Sequence, residues 1–200
     1  PGSAIPQFVD ALPNLHITGA TDLVLQMREF LSPVMPTGFV PAAGGTYAGT
    51  YVWGYKAAGQ PDTSYIGPVI LATRGVPTRV TYVNMLGSAP ATNVNAWDTS
   101  TDQTLHWADP LGSGMIPAVP HLHGGEVPPQ LDGGPDAWYT SDGIKIGHAY
   151  YSMDSPVAKN YAIYRYPNTQ EAANIWFHDH VLGITRLNVY AGLAGAYLIK

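Results

Sequence analysis

Glycine and proline recur too densely in this chain for a long helix to run through it, with 22 glycines and 18 prolines among 200 residues. Each proline removes a backbone donor and fixes φ, and each glycine weakens a helix interior, so regular structure between them must be short. The stretches that remain are rich in β-branched and aromatic side chains, which favour strands. The expectation is an all-β sandwich-like domain, its short strands joined by turns and long loops. A hydrophobic content of 46% is enough for one packed core, so residues 1–200 read as one domain with 1–21 as a lead-in segment.

Periodicity places the strands. Residues 22–30 put Leu23, Leu25 and Met27 on one face, until Pro33 and Pro36 end the run. The Gly-, Ala- and Pro-rich stretch 35–60 reads as loop with a short strand at 50–53. Residues 67–72 and 78–84 read as two strands flanking a turn at Arg74, Gly75, Val76 and Pro77. Further strands are expected at 161–166, 174–177 and 194–199, and the small residues of 191–196 imply close backbone packing.

Charge excludes several partners. Only 12% of residues are charged and the net charge is −5, so neither nucleic acid nor an anionic membrane surface finds a basic footprint. No apolar run reaches the roughly 18 residues of a membrane-spanning helix. The chain has no cysteine, which removes disulfides, thiol nucleophiles and thiolate metal sites. Pro1-Gly2-Ser3-Ala4 carries no basic region before an apolar stretch, so any signal peptide is expected upstream of it.

Four of the seven histidines stand in two pairs of identical spacing, His121-Leu122-His123 and His178-Asp179-His180. On a strand, residues i and i+2 project from the same side about 7 Å apart, so two such strands side by side aim four imidazoles into one space. A single pair reads equally well as a polar spot on a strand; its recurrence favours a metal site. Imidazole suits copper, zinc, iron and nickel, and without thiolates the donor set leaves the metal open. Asp179 alternates to the opposite face and is expected to be a partner of the ligands rather than a ligand. His16, His106 and His148 are isolated and read as structural or locally hydrogen-bonded.

The phrases His121-Leu122-His123-Gly124-Gly125 and Trp176-Phe177-His178-Asp179-His180, followed by Thr185-Arg186-Leu187-Asn188-Val189-Tyr190-Ala191-Gly192, carry a resemblance. They are similar to the first cupredoxin domain of a multicopper oxidase, in the branch of bacterial spore-coat laccases and bilirubin oxidases. Gly67-Pro68-Val69-Ile70, Val83-Asn84-Met85-Leu86 and Asp132-Gly133 support it in the same order along the chain. The resemblance implies an all-β, cupredoxin-like Greek-key sandwich with long loops, and copper as cofactor. His121 would bind the type 2 copper, His123 and His178 would share one type 3 copper, and His180 would bind the other. Asp132 would serve catalysis as the acidic residue that helps deliver protons to oxygen bound there.

It also implies partners. The remaining ligands of such a trinuclear cluster come from another cupredoxin domain, on the same polypeptide or a complementary chain. The type 1 copper site needs a thiolate and so lies outside this chain, which alone would be inactive. Dioxygen would be the acceptor, and a small aromatic or metal-ion reductant the donor. The resemblance points to an extracytoplasmic place: periplasm, secretion, or the cell or spore surface. A stand-alone cupredoxin-like metal-binding module without catalysis is the alternative. A jelly-roll dioxygenase fits less well, because its carboxylate and further histidine are not found at their spacing.

Overall fold

Alternating burial along the strands builds two sheets that face each other across one aromatic core. The computed structural model describes residues 5–57, 59–60, 65–94, 102, 104, 107–108, 114–154, 157 and 159–200. Its strands in chain order are β1 Ile17–Thr18, β2 Asp22–Ser32, β3 Thr50–Ala57, β4 Val69–Ala72, β5 Thr78–Asn84 and β6 Pro117–Ala118. They continue as β7 Pro120–His123, β8 Tyr139–Thr140, β9 Tyr161–Tyr166, β10 Ala173–Asp179 and β11 Ala194–Ile199, with one helix, α1 Thr185–Ala191, between the last two.

One sheet runs in the order β1-β4-β11-β10-β7 and the other in the order β3-β2-β5-β9, while β6 and β8 form a small ribbon. In β2, Leu23, Leu25 and Met27 are buried while Val24 is exposed, as the two-residue period requires. Phe177 of β10 joins the sheets. Its ring centroid lies 5.1 Å from Tyr55 of β3 and 6.3 Å from Tyr82 of β5. At the other end Tyr166 of β9 meets Tyr197 of β11 edge to face at 5.8 Å. Each such pair adds about 1 kcal/mol beyond the area it buries. The result is the all-β sandwich expected from the residues.

One expectation needs correction, and two features go beyond what was expected. The strand expected at 50–53 runs on to Ala57, because Trp53, Gly54, Tyr55 and Lys56 are all buried against neighbours on both faces. The strands flanking the Arg74–Pro77 turn do not pair with each other: β4 joins β11 in one sheet and β5 joins β2 in the other. That turn is a crossover between layers. The stretch after the second histidine pair is helical, with Ile184, Leu187, Asn188 and Ala191 at i, i+3, i+4 and i+7 facing the core. Gly192 ends α1 at φ +127, where a Cβ would lie 2.0 Å from the Trp53 carbonyl, so the close packing read from this small-residue run is backbone against backbone.

Candidate metal centre

β7 is the edge strand of its sheet and runs antiparallel to β10, and their register sets the site. His178 lies opposite His121, Trp176 opposite His123, and Phe177 opposite Leu122. Directly opposed residues point to the same side of a sheet. His121, His123, Trp176 and His178 therefore share the outer face, while Leu122 and Phe177, both buried, share the core face. His180 lies one residue beyond β10, where its N–H donates to the Val119 carbonyl at 2.9 Å.

All four paired histidines come together. The His121 ring centroid stands 5.6, 5.4 and 5.0 Å from those of His123, His178 and His180. The His178 ring lies 5.3 Å from His123 and 5.7 Å from His180. One ring nitrogen from each of His121, His123 and His178 falls within 4.8 Å of the others.

Backbone carbonyls orient two of the rings. His121 Nδ1 lies 2.6 Å from the Asp132 carbonyl and His178 Nδ1 lies 2.7 Å from the Asp179 carbonyl. A carbonyl only accepts, so Nδ1 carries the proton in both rings and Nε2 keeps the lone pair a metal needs. His123 Nδ1 faces His178 Nε2 at 3.1 Å. Two nitrogens that each lie about 2.1 Å from one ion at near-tetrahedral angles stand close to that far apart. Nδ1 of His180 is buried with no hydrogen-bond partner among the described residues, a loss that a bound cation would offset. Burial, reinforced by the neighbouring imidazoles, holds His178 and His180 below the usual histidine range. Rings kept neutral in this way are ready to bind metal.

Asp132 sits at the margin of the cluster. The 3-10 turn Pro129–Leu131 delivers it, and its carboxylate lies 3.5 Å from His121 Nδ1 with the side chain 40% exposed. Its main chain anchors His121 while its side chain stays open to solvent. Of the isolated histidines, His16 is exposed, His148 is exposed beside Asp136, and His106 lies outside the described residues.

Asp179 is the partner that strand alternation implied. Its fully buried carboxylate accepts from Val119 N at 2.9 Å, Val181 N at 3.1 Å and Asn188 Nδ2 at 2.9 Å. Burial is the largest influence on this group and raises its pKa to about 7, against the pull of those three donors. The carboxylate ties α1 to the strands that carry the histidines. Asp179→Ala would strand two backbone N–H groups and remove one partner of the Asn188 amide, at a cost of about 3 kcal/mol. Urea unfolding measures this directly, and a loss below about 1 kcal/mol would remove Asp179 from its structural role. Asn188 was missed in the sequence, although its place in the apolar stripe of α1 marks it as inward-facing.

A two-sheet sandwich that gathers four imidazoles beside the outer face of one sheet is an arrangement that could hold a metal ion. No protein-family model matches the chain. Among sequence relatives, multicopper oxidase LPR1 homolog 1 of Oryza sativa subsp. japonica is 41% identical over 150 residues, covering 75% of this chain and 22% of that protein. A laccase of Bacillus subtilis strain 168 is 36% identical over 151 residues, covering 75% of this chain and 25% of that protein. Among solved structures, a multicopper oxidase from Pediococcus acidilactici superposes with a TM-score of 0.59 at 20% identity, over 98% of this chain and 30% of that one; at such identity the likeness shows the fold.

The chain belongs to the multicopper oxidase family, whose cofactor is copper. It spans about a quarter of the length of the sequence relatives it matches.

Proposed function

We propose that this chain is the first cupredoxin domain of a laccase-like oxidase and supplies half of the histidines of a trinuclear copper centre. The observation that carries this reading is the register of β7 against β10, which points two i, i+2 histidine pairs to one side of an edge strand. In this reading His121 would hold the type 2 copper through Nε2, His123 and His178 would share one type 3 copper, and His180 would hold the other. The short gap between His123 Nδ1 and His178 Nε2 supports the shared assignment. The remaining ligands come from a further cupredoxin domain seated against the outer face of this sheet, on the same polypeptide or a complementary chain.

Copper held by these four histidines would supply the electron transfer to dioxygen. The chain's own groups do the rest. Carbonyls of Asp132 and Asp179 keep Nδ1 of His121 and His178 protonated and hold both rings in place. The partly exposed Asp132 carboxylate, beside His121, passes protons from solvent toward the cluster; reduction of dioxygen to two waters consumes four. Phenols, aromatic amines, pigments or metal ions are the reductants.

The test is the stoichiometry of the copper-loaded complete polypeptide with a phenol. One dioxygen should disappear for every four one-electron oxidations, with no hydrogen peroxide released. Copper binding without any oxygen uptake would support a stand-alone binding module instead, and peroxide as the product would contradict a trinuclear centre.

A further inference from the structure

His121 and His178 each have a carbonyl that fixes the ring, but His123 does not. It is the exposed member of the trio whose nitrogens converge, at the end of an edge strand. Among the described residues its ring makes no hydrogen bond outside the histidine cluster. What stands beside it is Trp176, its register partner across the β7–β10 pair.

The indole ring centroid lies 5.3 Å from that of His123 at an interplanar angle of 35°, and 4.2 Å from that of His178 at 34°. One aromatic wall thus runs along the two imidazoles whose nitrogens approach to 3.1 Å. Trp176 is 40% exposed and points away from the sandwich interior, so the core does not depend on it. An exposed imidazole on an edge strand is free to turn about χ2, because that torsion is broad. A flat ring beside it removes the orientations that swing the imidazole plane away from His178, and the contact of Nδ1 with His178 Nε2 then selects which edge faces that nitrogen.

We infer that Trp176 is a positioning residue of the metal centre, which orients His123 against His178 by stacking and so prepares both nitrogens to hold one metal ion. This rests on the metal-site reading above. Stacking of this kind is worth roughly 0.5–1.5 kcal/mol, which corresponds to about a three- to tenfold change in affinity.

The experiment is calorimetric titration of the chain with Cu(II), alongside thermal unfolding of each variant without metal. Trp176→Leu should weaken Cu(II) binding about three- to tenfold while the unfolding midpoint stays within about 2 °C of the wild type. Trp176→Phe, which keeps a flat ring, should recover affinity to within about twofold. A Trp176→Leu protein that binds as tightly as wild type would overturn the inference, and so would a loss that tracks a fallen midpoint and is not recovered in Trp176→Phe. If His178→Ala binds Cu(II) as well as the wild type does, the metal-site reading itself fails, and the inference fails with it.

Discussion

His178→Ala is expected to lower oxygen reduction by the copper-loaded complete polypeptide on the order of a thousandfold while leaving the fold intact. The ring stands with His121, His123 and His180, and its Nε2 faces His123 Nδ1 at 3.1 Å. Its removal takes away a donor and leaves His123 with no nitrogen opposite. The fold survives because β10 is held by its other face, where Phe177 packs against Tyr55 and Tyr82. The hydrogen bonds lost, to the Asp179 carbonyl and to His123 Nδ1, cost about 1 kcal/mol each. On the proposed reading, the absorption of a blue copper site carried by a further domain should persist. Oxygen uptake near the wild-type rate would remove His178 from the site; loss of uptake together with the fold would make its role structural.

Gly133→Ala is expected to be the most disruptive small substitution near the site, at about 4 kcal/mol. Gly133 has φ +68, a region that L side chains rarely adopt, and a Cβ there would fall 1.7 Å from the Pro120 carbonyl and 3.1 Å from the His121 Cα. Both contacts are with β7 backbone, which has no flexible end to yield. The strand that bears His121 and His123 must shift, or the Asp132 carbonyl that anchors His121 must withdraw. Stability and metal affinity should therefore fall together, read from urea unfolding and Cu(II) titration of one variant. A Gly133→Ala protein within 1 kcal/mol of wild type would show that the turn after Asp132 can relax away from β7.

Much of this arrangement is legible in the residues because strands announce their two faces. The alternation Leu122, Phe177 and Asp179 inward against His121, His123, His178 and His180 outward needs only the two-residue period. Two histidine pairs with that period mark the candidate site in the sequence alone. Pairing is less legible. The turn at Arg74–Pro77 signals a reversal of the chain but not that its strands enter different sheets, since partners far along the sequence decide that. The helix α1 is short and β-branched in part, and its signal lies in an apolar stripe that includes the polar Asn188. That residue faces inward because Asp179 awaits its amide. The carbonyls that orient His121 and His178 left no trace, since every residue has one and only the fold chooses which is used. Trp176 was visible as a neighbour of His178 but not as the partner of His123, a relation that exists only across the β7–β10 register.

The most direct measurement is anomalous diffraction at the copper edge from copper-loaded crystals of the complete polypeptide. The account predicts copper about 2 Å from a ring nitrogen of each of His121, His123, His178 and His180, with one ion shared by His123 Nδ1 and His178 Nε2. Copper bound elsewhere, or a cluster that leaves any of these four rings without a metal, would contradict it.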